Sequence, residues 1–366
     1  MIKQKLLLAL ALMLTFCKVQ AQSSLKTENV ILITLDGLRW QELFTGADAK
    51  LVGNKEYVGN PEALKKEFWA GSAKERRQIL MPFFWSVIAQ KGVLYGNRHF
   101  ENFVNVKNDY WFSYPGYNEI LTGYPDEKIN SNDKVDNPNV TVLEFINQQK
   151  RFKNKVAAFG SWDVFPYIHN EKRSKIPVNA GFRTSKDKPL SQKEKFLNEL
   201  QPQVPSPWGS VRLDAFTHHY AMEYLKKHQP KLVHIAYGET DDFAHDGEYD
   251  AYLKSTRQTD AFIKEVWDWV QSHPNYKNKT TLLITTDHGR GTEPLKTWKH
   301  HGKSQKGSDE IWIAAIGPDT PALGEVKEKG QLFQNQVAQT VAAFLGVEYT
   351  NGHKIGEVLS GLFKSL

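Results

Sequence analysis

NVILITLDG, residues 29–37, is an unbroken apolar run that ends on a carboxylate and a glycine. Continuous rather than alternating apolarity marks a strand covered on both faces. Residues 93–100, 155–159, 232–237, 281–286 and 311–316 share that character. Between these runs helical periodicity covers residues 74–90, 211–228, 249–272 and 331–345; in the third, Tyr252, Leu253, Thr256, Thr259, Phe262, Ile263, Val266, Trp267 and Val270 form one stripe. Strands alternating with helices predict the α/β class, a mostly parallel sheet between two helical layers. Ligands in such sheets collect beyond the carboxyl ends of the strands. Asp36 ends the first run and Asp287-His288 ends the fifth, so both fall on that edge. The polar, proline-rich stretch 183–210 reads as a cap or insertion.

The chain opens on Lys3 and Lys5, an apolar run from Leu6 to Phe16, and Val19-Gln20-Ala21. That order predicts a secretory signal cut after Ala21, leaving residues 22–366 as one catalytic domain, exported to a periplasm or beyond the cell. No later stretch reaches the roughly 20 apolar residues of a spanning helix, so the mature chain is expected to have no membrane span. Losing Lys3, Lys5 and Lys18 lowers the formal charge from +6 to +3. So mild an excess indicates no nucleic-acid polymer as partner, and its sign suits a small anionic substrate. Cys17 is the single cysteine and lies in the leader, so no disulfide is expected.

The chemistry lies in short polar segments at the ends of these runs. Asp36, Asp241 with His245, Asp287 with His288, and His301 offer the hard and borderline donors that a catalytic divalent cation takes. Their number suits two such ions. Asp241 and His245, in GETDDFAHD, stand four apart, which places both on one side of a helical turn. Asp242 and Asp246 are near rivals there, and His300 is a rival to His301. Ser113, in SYPGYNEILTGYP, precedes a proline and a short helix, whose positive end steadies a negative oxygen. A serine near a bound cation becomes a nucleophile by favouring its alkoxide. Read alone, Ser113 would be only a helix cap.

LDG at Asp36, SYPGYNEILTGYP at Ser113, ETDDFAH, ITTDHG and HHG, in that order, resemble the alkaline phosphatase superfamily, and within it the type I phosphodiesterase/nucleotide pyrophosphatase branch. The resemblance runs from Asn29 to about Leu345. It implies an alkaline-phosphatase-like three-layer α/β/α sandwich with a small cap, and two divalent ions, zinc in this branch. It also implies one metal on Asp241, His245 and His301, and the other on Asp36, Ser113, Asp287 and His288. Asn132, in NSND, falls where the branch holds a phosphoryl oxygen. The expected activity is phosphoester hydrolysis through a phosphoserine, with diesters favoured over monoesters because no lysine or arginine stands beside Ser113 in sequence. Arg39, Trp162, Arg173 and His300 are candidate substrate contacts, with Lys172 and Lys175 also considered. Two alternatives are a sulfatase-like hydrolase, against which Tyr117 stands where an arginine is expected, and a non-catalytic metal-dependent anion-binding relative.

Overall fold

The computed structural model describes residues 25–365; the leader read over residues 1–21 lies outside them. The six apolar runs, with two short strands not read from the sequence, β4 and β8, form an eight-stranded sheet: β1 (Asn29–Leu35), β2 (Val93–Tyr95), β3 (Val156–Gly160), β4 (Val178–Ala180), β5 (Leu232–Tyr237), β6 (Thr280–Thr285), β7 (Ile313–Ile316) and β8 (Gly324–Glu325). Its order is β8-β2-β7-β6-β1-β5-β3-β4. Of these strands only β7 runs against the rest. β1 sits at the centre, paired in parallel with β5 through Val30↔Leu232 and with β6 through Asn29↔Thr280.

The reason for the unbroken apolarity is visible in β1. Ile31, Ile33 and Leu35 enter one hydrophobic layer while Val30 and Leu32 enter the other. Helices α1 (Trp40–Thr45), α2 (Ala73–Leu80), α3 (Ser113–Thr122), α4 (Val142–Gln148), α5 (Gln192–Leu200), α6 (Asp214–His228), α7 (Glu239–Asp246), α8 (Tyr249–Ser272) and α9 (Val337–Phe344) flank the sheet. The stripe predicted on α8 is buried except at Trp267, which packs partly buried against the same core.

Three expected elements are divided. The helix read over 74–90 stops at Leu80, because Pro82 lacks an N–H and disfavours helical backbone at Met81. The chain resumes as a π-helical turn, Phe84–Ile88, and the Asp260 carboxylate takes the Phe83 and Phe84 amides at 2.8 Å each. The strand read over 93–100 ends at Tyr95, where Gly96 turns with φ +112°. Residues 331–345 begin as a strand, Gly330–Phe333, which pairs with Asn102–Asn105 in a small second sheet, and only then become α9. Within 183–210, α5 carries a reciprocal Ser191–Glu194 cap and packs on α6. Trp208, near the end of that stretch, donates to Asp246 on α7 at 2.9 Å. Among the described residues no helix is long and apolar enough to cross a membrane.

Candidate metal centre

β1, β6 and the turn after β5 deliver their polar residues to one edge. The Asp36 amide donates to the Tyr237 carbonyl at 2.9 Å, so the chain leaves β1 still held to β5. Gly37 then turns with φ +60°, and a Cβ there would stand 2.7 Å from both Arg290 Nη1 and Asp241 Oδ1. Only glycine lets β1, α7 and the turn after β6 meet so closely. The Gly37 amide donates to Asp287 Oδ1 at 3.1 Å, tying the first segment to the fifth.

Ser113 arrives on a different element. It is the first residue of α3, with Phe112 in the cap position, so it is not the cap that its sequence alone suggests. A Cβ on Gly116 would meet the Asp287 carbonyl oxygen at 2.4 Å. That missing side chain lets the start of α3 press against the end of β6 and places Ser113 Oγ 3.4 Å from His288 Nε2.

His288 Nε2 is the hub. It lies 3.4 Å from Asp36 Oδ1, 3.4 Å from Asp287 Oδ2 and 3.8 Å from Asp241 Oδ1. Its Nδ1 lies 2.9 Å from the Gly289 carbonyl, an acceptor, so Nδ1 carries a proton. Beyond it, His301 Nε2 is 3.6 Å from Asp241 Oδ1, His245 Nε2 is 3.2 Å from Asp241 Oδ2, and the two Nε2 atoms face each other at 2.9 Å. Two groups of donors converge here, Asp36 with Asp287 and His288, and Asp241 with His288 and His301. His245 completes the outer side, and Ser113 the inner.

These residues fit a divalent cation on three counts. Donors held about 2.1 Å from one tetrahedral ion stand roughly 3.4 Å apart, which is the spacing around His288 Nε2. Asp36 Oδ1 and Asp287 Oδ2 are buried without a hydrogen-bond partner, a costly arrangement for carboxylate oxygens with nothing to hold. The charge balance also calls for a cation. Burial, then Asp241, pushes the Asp36 carboxyl up, while burial, then Asp36, pushes Asp287 well above the carboxylate range. Burial alone would lower His288, but the Asp287, Asp36 and Asp241 carboxylates outweigh it and raise the imidazole to about 9. The carboxylates thus draw a proton to the position a metal would take.

Arg290 was not singled out by sequence although it lies only two residues after His288. It is fully buried, donating through Nη1 to Asp241 Oδ1 and through Nε to the Trp298 carbonyl at 2.8 Å. Burial raises the Asp241 carboxyl, but Arg290, His245 and His301 overcome it and hold the group well below the usual range. Arg290→Met is expected to cost the metal-free protein roughly 3 kcal/mol, because removing one partner leaves a buried charge unpaired. Urea unfolding in chelator checks this, and an unchanged midpoint would mean that the histidines alone hold Asp241.

The structure does not bring every candidate to this centre. Arg39 is buried and spent on Glu42, with Nε donating to Oε2 at 2.8 Å. Arg173 makes two 2.8 Å bonds to Glu144 and donates to the carbonyls of Asn137, Pro138 and Asn139. Both guanidiniums are thus paired with acids. His300 is exposed, its ring centroid 6.4 Å from that of His245; of the adjacent pair it is His301 whose ring enters the cluster, stacked on His288 at 3.9 Å. Asp246 is engaged by Trp208, and Asp242 joins neither donor group. Asn132 is exposed beside Ser113, where its Oδ1 accepts the Tyr114 amide at 3.0 Å. Trp162 is half-buried just past the end of β3, 6.4 Å between centroids from Phe165. Tyr117, also missed, donates to Asp36 Oδ2 at 2.9 Å; it lies four residues after Ser113 on α3, a spacing that puts both on one face.

Fold and site together describe an α/β chain with a candidate metal centre at the carboxyl edge of the sheet. A family model described as Metalloenzyme superfamily matches residues 190–349. The wild-type alkaline phosphatase PafA superposes with TM-score 0.60 at 10% identity, covering 94% of this chain and 100% of that one. The lipoteichoic acid synthase LtaP from Listeria monocytogenes gives TM-score 0.58 at 13% identity, covering 90% and 74%. BT1596, a 2-O GAG sulfatase, gives 0.56 at 13% identity, covering 93% and 75%. No curated protein matches the chain. The family-model match covers less than half of the chain, and the superpositions show that it shares the fold of these proteins.

Proposed function

We propose that this chain is a two-metal phosphoester hydrolase that acts through a phosphoserine on Ser113 and prefers diesters to monoesters. The observation that carries it is the Ser113 hydroxyl 3.4 Å from His288 Nε2, within the donor cluster and at the start of a ten-residue helix. The donor set, three aspartates and three histidines, suits zinc. When bound, a pair of such cations supplies charge stabilisation to the transferring phosphoryl group and lowers the pKa of the serine hydroxyl.

Ser113 loses its hydroxyl proton, its Oγ bonds to phosphorus, and the bond from phosphorus to the leaving oxygen breaks; the leaving alkoxide takes up a proton. Water then attacks the phosphoserine, the phosphorus–Oγ bond breaks, and Ser113 regains its proton. Asn132 has spent only its oxygen on the Tyr114 amide, so its NH2 group remains to hold a non-bridging phosphoryl oxygen beside the start of α3.

The preference for diesters follows from where the cations are committed. A monoester brings one more negative oxygen than a diester, and extra positive charge must meet it. Arg39 and Arg173 are paired as described, Arg290 is held by Asp241, Lys172 by Asp136 at 2.8 Å, and Lys134 by Asp163 at 2.6 Å. On the zinc-loaded protein, kcat/KM for methyl nitrophenyl phosphate is expected to exceed that for nitrophenyl phosphate by about tenfold, a difference of roughly 1.4 kcal/mol in transition-state binding. Nitrophenyl sulfate is expected to be slowest. A sulfate ester hydrolysed fastest would favour the sulfatase reading, and zinc binding with no turnover of any ester would make the chain a non-catalytic relative.

A further inference from the structure

Two helices whose first residues meet begin without caps of their own, and the hydrolytic steps use neither beginning. α7, which carries Asp241 and His245, starts after Gly238, a residue with no side chain to accept the free amides. α6 starts at Asp214, after a leucine, Leu213, that supplies no side-chain cap either. Each helix is capped by the first residue of the other. Asp214 Oδ1 accepts the Gly238 amide at 2.8 Å and its Oδ2 accepts the Glu239 amide at 3.2 Å, while Glu239 Oε1 accepts the Asp214 amide at 2.8 Å. The two acids stand 25 residues apart, so no local capping pattern joins them.

Asp214 is itself held from behind. Ser161, just past β3, donates its one proton to Asp214 Oδ1 at 2.5 Å, so the Thr217 hydroxyl 2.7 Å away must donate to Ser161. Thr217 in turn accepts from Arg212 Nε at 2.8 Å. The rest of that guanidinium goes to neutral acceptors, Asn179 Oδ1 at 2.7 Å and the carbonyls of Asn179 and Arg183 at 3.1 Å each. Arg212, Thr217, Ser161 and Asp214 are all buried. Every donor in the line points toward Asp214, and hydrogen bonds aligned in one direction strengthen one another. The start of α7 is thereby tied to the end of β3, to α6, and to β4 with the loop that follows it.

What this fixes is the outer side of the centre. The Asp241 amide donates to the Gly238 carbonyl at 3.1 Å, and His245 follows one turn later on the same eight-residue helix. A shift of Gly238 would therefore move both donors together. Asp36, Asp287 and His288 follow β1 and β6 instead. We propose that Asp214, backed by Ser161, Thr217 and Arg212, is a positioning residue that sets the places of Asp241 and His245, and with them the affinity for the outer cation. The proposal rests on the two-metal reading above, and none of these four groups touches substrate. Groups that orient the ligands of a metal set how tightly it is held.

The test is zinc affinity of the full chain, with a chromogenic chelator as competitor to resolve the two equivalents. His245→Ala identifies the outer equivalent as the one it weakens. Asp214→Asn keeps an oxygen for the Gly238 amide but turns an NH2 group toward the Glu239 amide, so it is expected to weaken that same equivalent about 10-fold and leave the other within about twofold. Ser161→Ala removes one donor to Asp214 and is expected to weaken the outer equivalent about threefold. A merely structural role would lower both equivalents alike or neither, and either result overturns the proposal. Failure of the two readings can be told apart. If His245→Ala loses one equivalent while Asp214→Asn and Ser161→Ala keep both, the positioning role is wrong and the metal centre stands. If the unmodified protein binds no zinc, or His245→Ala keeps both equivalents at full affinity, the metal assignment fails and the proposal falls with it. Should Asp214→Asn not fold, Ser161→Ala decides alone.

Discussion

Ser113→Ala is expected to retain its metals and its fold while losing at least about 10³-fold in turnover on every phosphoester. The substitution removes a single oxygen. Ser113 occupies the first helical position of α3, and the helix draws no side-chain cap from Phe112 before it, so no capping bond is lost. Alanine is the best helix former, and the site is 5% exposed, so the change is close to neutral for stability. Asp36, Asp287 and His288 remain to hold the inner cation. What disappears is the acceptor of the phosphoryl group, and residual hydrolysis would come only from positioned charge and bound water. Acid quench of the unmodified protein during turnover should trap phosphate on the peptide carrying Ser113, and the variant should trap none. Turnover within about threefold of the unmodified protein would rule out the covalent step.

Asp287→Asn should have opposite effects with and without metal. Asp287 Oδ1 accepts from the Gly37 and His288 amides at 3.1 and 3.0 Å, and the carboxamide oxygen of asparagine can keep both bonds. Oδ2, which is buried and unpartnered, becomes an NH2 group that cannot ligate a cation. In chelator the variant is expected to be at least as stable as the parent, because a carboxylate that burial and Asp36 disfavour has been neutralised. With zinc present the parent gains stability and the variant does not. The difference is about 4 kcal/mol when free metal stands at 1,000 times its dissociation constant. Turnover should be nearly abolished. Thermal melts with zinc and with chelator check both signs, and a variant destabilised equally in both would mean that Asp287 serves the fold and not a cation.

These expectations rest on residues whose legibility differed. Asp36 and Asp287-His288 were readable because each ends a continuous apolar run. A strand buried on both faces, as β1 is between its two hydrophobic layers, must expose its first polar residue at the edge where the chain turns. Asp241 and His245 were readable as a pair from their helical spacing, and α7 confirms that spacing. For Arg39 and Arg173 the charge type was legible while the pairing was not. Glu42 lies one turn from Arg39, and Glu144 lies 29 residues before Arg173. Whether a guanidinium faces substrate or is spent on an acid depends on which carboxylate the fold brings to it.

The sequence by itself determined the α/β class and the donor types gathered at the carboxyl edge of the sheet, because periodicity and abrupt polar endings are local properties of the chain. Only the tertiary structure decided between His300 and His301, lifted Ser113 from a helix cap to a hydroxyl facing His288, and revealed Arg290 on Asp241 and Tyr117 on Asp36. Those outcomes turn on approaches of a few ångströms between segments far apart in the chain. Such approaches were opened by the missing side chains of Gly37 and Gly116, and no spacing along the chain encodes them.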